Sequence, residues 1–227
     1  MRSLQTVADG VHLGALGPGS FINVVVLDAD DDSGAGGMVV DSGLRWQRRR
    51  LQRLLDGVEA STHVVTHAHA DHLGSTAWLC GHLGTDLAMG REDATLFAGG
   101  RIDTLQTRVG RALSRALDPE RRTVERPLVD GDRLGAWQVL TTPGHSPGSI
   151  ALWREADRVL LIGHGPVNLG SRTSPRWLRL PEALNHDLAE AAASRRRLVD
   201  LDPAVVVSTH GAAARVDDAW LRAMLRP

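Results

Sequence analysis

The chain has no lysine and no tyrosine in its 227 residues, so all 26 basic residues are arginine and no site can use a side-chain amine or a phenol. The uniform arginine looks like the composition bias of a high-GC genome. The single cysteine, Cys80, excludes an internal disulfide, which fits a reducing cytoplasm and a small packed residue at a helix. The sequence carries no apolar signal segment at its start and no apolar run of membrane-spanning length. A formal net charge of -1 leaves no dominating basic surface and argues against nucleic-acid or membrane partners. The runs Arg48-Arg49-Arg50 and Arg195-Arg196-Arg197 fall in helix-like stretches and read as solvated faces. No repeat or low-complexity linker divides the chain, and 42% apolar content is enough to bury a core as one domain over residues 1–227.

What is present is concentrated at residues 67 to 72, His-Ala-His-Ala-Asp-His, which follow the strand-like Thr62-His63-Val64-Val65-Thr66. Ligands therefore sit where a strand gives way to a loop, the usual place for a site. At strand spacing His67 and His69 point the same way and can share one metal, while the tighter turn through Asp71 and His72 can aim a carboxylate and an imidazole at a second. Two more histidines follow separate strand signals. His145 lies just past Trp137-Gln138-Val139-Leu140, in a loop rich in proline and glycine, and His210 lies just past Ala204-Val205-Val206-Val207. Histidines at several strand ends can converge on one sheet edge.

The order of elements reads as α/β. Residues 21–28 and 36–41 form a hairpin around an acidic, glycine-rich turn that lacks the full EF-hand pattern and reads as solvated. Helices are expected over 44–57, 73–83, 91–117 and 186–200, with Asn185 capping the last and Pro203 following its end.

These segments resemble the metallo-β-lactamase superfamily over nearly the whole chain. Val39-Val40-Asp41-Ser42-Gly43 is similar to the family's early Asp-Thr/Ser-Gly segment. The resemblance implies His67, His69 and His145 on one metal, Asp71, His72 and His210 on another, and Asp41 as a carboxylate that fixes a ligating imidazole. It also implies a four-layer αββα sandwich with the metals at one sheet edge, and with only a short tail after His210 it leaves no room for the added domains of the superfamily's nucleases.

One position departs from the family. Where most two-metal hydrolases of the superfamily place a bridging aspartate, this chain has His164, in Leu161-Ile162-Gly163-His164-Gly165. An imidazole offers one lone pair and can bind one metal but bridges poorly. The choices are then two metals joined only by hydroxide, one tight and one weak metal, or reduced activity. Lactamases of the family often anchor a substrate carboxylate with lysine, and lactonases often use a tyrosine, so both assignments lose weight here.

If Asp41 lies at the metal end of its strand, Gly14 to Ser20 form a flap with Phe21 at its base, and the loop through Asn168 to Trp177 forms another wall. Phe21, Asn168 and Trp177 are thus candidate pocket residues, with the other tryptophans in the core. The expected function is a cytoplasmic zinc-dependent hydrolase with one or two ions. A metal-bound hydroxide would attack the carbonyl of an ester, thioester, lactone or β-lactam, with Asp71 as the catalytic carboxylate. Iron or manganese fit the same ligands. The alternatives are a mononuclear iron dioxygenase acting on a persulfide, or a metal-binding protein with degenerate catalysis.

Overall fold

Valine-rich strands account for the architecture. In the computed structural model, which describes residues 3–30, 34–99 and 119–225, β3 (Asn23–Leu27) is buried along its whole length. Its alternate residues face opposite ways: Val25 and Leu27 enter one apolar cluster, Val24 and Val26 another. A strand buried on both faces must have a layer on each side.

Those layers are a seven-stranded sheet and a second sheet of six strands. The first runs β1 (Gln5–Ala8), β2 (Val11–Ala15), β3, β4 (Met38–Val40), β5 (Thr62–Val65), β6 (Asp86–Gly90), β7 (Arg126–Leu128), antiparallel up to β4 and parallel from β4 onward. The second places β8 (Arg133–Leu134), β9 (Trp137–Thr141), β10 (Ile150–Arg154), β11 (Val159–Ile162), β14 (Val205–Ser208) and β15 (Ala214–Arg215) side by side, with β11 and β14 parallel. A small ribbon pairs β12 (Val167–Asn168) with β13 (Trp177–Leu178).

The sheets meet through Val25, Val40 and Val64 on one side and Val139, Leu152 and Leu161 on the other. Outside the first sheet lie α1 (Arg48–Leu54), α2 (Ala70–Leu73), α3 (Thr76–Leu83) and α4 (Arg91–Ala98); Leu51 and Leu79 fill the groove over Val24 and Val39, and Phe97 covers Leu87 and Met89. Outside the second lie α5 (Leu188–Asp200) and α6 (Asp218–Leu225), where Leu198, Trp220 and Met224 pack on Leu160 and Val206. The result is the αββα sandwich.

Local details depart from the sequence reading. The cap of α5 is Asp187, whose carboxylate accepts the Glu190 amide at 2.9 Å, because Asn185 instead closes a preceding turn on Glu182. The 44–57 segment begins as a 3-10 turn, Arg45–Gln47, and 73–83 breaks between α2 and α3. Of the expected 91–117 helix, Arg91–Ala98 is helical and residues 100–118 lie outside those described. Trp46 is not in the core; it is 68% exposed.

One core residue makes the fold sensitive to acid. His63 on β5 is wholly buried, with Nδ1 donating to the Val39 carbonyl at 2.8 Å and Nε2 accepting from Thr76 at 3.0 Å. Burial pushes its pKa from 6.5 down to about 4, against the opposing pull of that carbonyl and of Asp41. The unfolded chain takes up this proton near pH 6.5, but the folded chain does so only near 4, so the stability is present above 6.5 and is lost as pH falls through that window. At pH 5, His63 alone should remove about 2 kcal/mol relative to neutral pH, read from urea unfolding. A His63→Gln variant should show a shallower pH dependence by about one proton; an unchanged slope would overturn the assignment.

Candidate metal centre

The parallel pairing of β4 with β5 and of β11 with β14 brings the C-terminal ends of these strands to one edge, and β9, antiparallel to β10 as β11 is, ends there too. Asp41, the 67–72 segment, His145, His164 and His210 each follow one of these strands, so the topology collects them without any long excursion of the chain.

They form two groups of side chains, His67, His69 and His145 in one and Asp71, His72 and His210 in the other, with the ligand atoms of each within 4.8 Å of one another. The His67 and His72 rings lie side by side, centroids 3.8 Å apart. The orientation of the nitrogens is more telling. His72 Nδ1 donates to Asp41 Oδ2 at 2.6 Å and His210 Nδ1 to the Phe21 carbonyl at 2.6 Å. The Thr66 hydroxyl donates to Asp41 Oδ2 at 2.8 Å and is therefore free to accept from His67 Nδ1 at 3.2 Å. Asp41 thus governs both groups, one directly and one through Thr66. The backbone concedes something for this, since Asp41 is a non-glycine residue at φ +58°.

With Nδ1 carrying the proton, the Nε2 lone pairs are left facing each other: His67 Nε2 is 3.1 Å from His145 Nε2, and His72 Nε2 is 3.1 Å from His210 Nε2. Asp71 Oδ2 completes the second set at 3.6 and 3.7 Å from His72 and His210 Nε2. Four-coordinate zinc at metal–nitrogen distances of about 2.1 Å separates its ligand atoms by about 3.4 Å, so the donor sets fit such an ion. Burial, reinforced by the neighbouring imidazoles, also holds His67 and His145 well below the ordinary pKa, in the neutral form that ligates.

A residue with no local sequence signal holds the first group together. Asp93, fully buried in the first turn of α4, accepts from the Ala68 amide at 2.7 Å, the Ser146 hydroxyl at 2.6 Å and the Gly148 amide at 2.7 Å. It ties the His67–His69 loop to the His145 loop. Gly148 permits the approach, because a Cβ there would lie 2.2 Å from the Asp93 nitrogen. In sequence Asp93 is indistinguishable from any acid at a helix start.

Other expected site residues are placed differently. His164 joins neither ligand group; its ring stacks on His145, centroids 3.4 Å apart and planes within 5°. Asn168 is turned into its own loop, its Oδ1 accepting from Gly170 and Arg176. Trp177 packs with the Leu160 and Trp220 cluster and donates to Asp217. Neither lines the cavity beside the histidines. Phe21 does lie at the metal edge, 51% exposed, with its ring centroid 5.7 Å from that of His210.

The sequence matches the model of the metallo-beta-lactamase superfamily over residues 17–210. The chain belongs to that superfamily. It is 25% identical over 212 residues to the probable metallo-hydrolase YflN of Bacillus subtilis (strain 168), a match covering 86% of this chain and 76% of that one. BJP-1, a subclass B3 metallo-beta-lactamase of Bradyrhizobium japonicum, superposes with a TM-score of 0.68 over 91% of this chain and 77% of that one; at 20% identity this is a likeness of fold. TTHA1623, solved in a di-iron-bound form, superposes with a TM-score of 0.62 over 89% of this chain and 93% of that one, at 28% identity. The chain is metallo-hydrolase-like, in a superfamily of metal-binding proteins that are mostly hydrolases. No helix among the described residues is long and apolar enough to cross a membrane.

Proposed function

We propose that this protein is a metal-dependent hydrolase of small-molecule carbonyl substrates, of ester, thioester, lactone or β-lactam type, with zinc as the preferred ion. The observation that carries the reading is the pair of Nε2 contacts at 3.1 Å, in two adjacent donor sets whose imidazoles are fixed from behind by Asp41, Thr66 and the Phe21 carbonyl. A bound ion supplies an acidified water as nucleophile and a Lewis acid for the carbonyl oxygen. The chain's own contribution is orientation and proton handling. Asp71 has a side chain about one-third exposed, against 2% and 8% for His72 and His210, so it alone of its group presents charge to an incoming substrate. Against the opposing push of desolvation, the His72, His210 and His69 imidazoles around it lower its pKa, which keeps the carboxylate ionised. Asp71 then orients the attacking water and passes its proton to the leaving group.

A mononuclear dioxygenase needs a single set of ligands. Here the second set has its own orienting partners, which favours hydrolysis. His164 stacks on His145 in place of the family's bridging carboxylate, so in this reading each ion is held by its own three side chains. The test is a panel of the four substrate types with chelated, zinc-loaded and iron-loaded protein, with oxygen uptake followed in parallel. Hydrolysis should vanish on chelation and return with zinc. Oxygen uptake on a persulfide by iron-loaded protein, with no carbonyl substrate turned over, would overturn the proposal.

A further inference from the structure

The imidazoles of the two ligand groups are not all held in the same way. His67, His72 and His210 each have the ring nitrogen that faces away from the group bonded, to Thr66, to Asp41 and to the Phe21 carbonyl. His145 does not. Its Nε2 faces His67 Nε2 at 3.1 Å, but its Nδ1 is buried without a hydrogen-bond partner. A neutral imidazole that turns Nε2 toward a metal carries its proton on Nδ1, so this atom is a buried donor. Leaving such a donor unmet is costly, and ligating histidines almost always bond this second nitrogen to a carboxylate, a carbonyl or a water. His164 does not meet the need. It stacks on the face of the His145 ring, with planes within 5°, whereas the proton lies in the ring plane.

A matching acceptor lines the same cavity. Asn185 is buried, and its Nδ2 donates to the Glu182 carbonyl at 3.2 Å, which fixes the orientation of the amide. The other end is Oδ1, an acceptor, also buried and without a donor. The backbone brings the two residues together: the amides of His186 and Asp187 donate to the carbonyls of His145 and Gly144 at 3.3 and 2.8 Å, pinning the segment ahead of α5 against the His145 loop. Both side chains line one cavity of about 50 Å³. A buried water needs roughly 10–15 Å³ and at least two polar partners. The cavity supplies both.

We propose that Asn185 positions His145: one water in this cavity accepts from His145 Nδ1 and donates to Asn185 Oδ1, which fixes the tautomer that leaves Nε2 free for the metal. The inference rests on His145 being a ligand and is independent of which substrate is hydrolysed. Asn185 is a positioning residue, acting only through His145. The turn on Glu182, which takes Asn185 away from the cap of α5, is then what presents its Oδ1 to the metal centre.

Two substitutions separate this role from a structural one. Asn185→Leu and Asn185→Asp both lose the donor to Glu182, but aspartate keeps an acceptor at the Oδ1 position and leucine does not. Competition for zinc against a chelator, followed in proton–nitrogen NMR spectra of protein with isotope-labelled histidine, reads the two groups apart, His145 reporting on the first and His72 on the second. Asn185→Leu should weaken zinc binding at the first group by about 10- to 100-fold, the usual effect of removing an outer partner of a ligating histidine, and leave the second unchanged. Asn185→Asp should bind at least as tightly as the wild type. In zinc-saturated protein the His145 Nδ1 proton should resonate downfield, as a hydrogen-bonded proton does, and should move upfield in Asn185→Leu while that of His72 stays in place.

Equal weakening by both substitutions would assign the effect to the turn on Glu182 and overturn the inference, as would unchanged affinity in Asn185→Leu. Wild-type protein whose His145 does not respond to zinc would sink the ligand reading itself and the inference with it. Normal zinc binding that ignores Asn185 would sink the inference alone.

Discussion

A His67→Ala, His69→Ala double variant should remain folded and lose hydrolysis by about three orders of magnitude or more, together with the metal held by the first group. The size follows from the chemistry: two of that group's three donors are gone, and a metal acting on both water and carbonyl supplies several kcal/mol of transition-state stabilisation, each 1.4 of which is about tenfold in rate. Folding should survive because the apolar contacts between the sheets, through Val25, Val40, Val64, Leu152 and Leu161, do not involve these side chains. Circular dichroism and urea unfolding establish the fold, elemental analysis the metal, and the zinc-loaded assay the rate. A folded, metal-poor double variant with wild-type turnover would show that the chemistry occurs elsewhere.

The two groups that the structure brings together could be read in the sequence because four of their six members fall within six positions at the end of one strand, and the other two each follow an apolar, strand-like run. The hairpin direction was legible as well. Ser20 accepts from Gly211 and Phe21 from His210, so the loop before β3 lies at the metal edge, as the position of Asp41 requires. Contacts between loops distant in sequence were not legible. Asp93 reaches 25 residues back to Ala68 and 55 forward to Gly148, and neither separation leaves a pattern that periodicity can detect. Arg195 was read with its run as a solvated face, whereas it is half-buried and lines the cavity beside the histidines. Charge runs are read as a unit, whereas a helix turns each successive residue by about 100°, so one member of the run meets a cavity while the next faces water. Asn168 and Trp177 were read as pocket residues, but the loop's own hydrogen bonds and the cluster under α6 decide where their side chains go.

Asp93→Ala should separate the two ligand groups functionally. The substitution strips the acceptor from two buried amides, Ala68 and Gly148, while the Ser146 hydroxyl retains Ser149 at 2.7 Å. Unmet buried donors cost roughly 1–3 kcal/mol each, partly offset because the removed carboxylate was itself desolvated, with its pKa raised by burial against the pull of its three hydrogen bonds, so a loss of about 3 kcal/mol is expected. The consequence for metal should be uneven. The first group depends on Asp93 to hold the His67–His69 loop against the His145 loop, and loss of such an orienting contact typically weakens metal binding by about 10- to 100-fold. Asp71, His72 and His210 are fixed instead by Asp41, by the Phe21 carbonyl and by their own strand ends, so the second equivalent should remain at wild-type affinity. Competition against a graded series of chelators reads the two equivalents apart at a temperature where the variant is fully folded. Equal weakening of both would mean that Asp93 supports only the fold, and no weakening of either would mean that the two loops hold their positions without it.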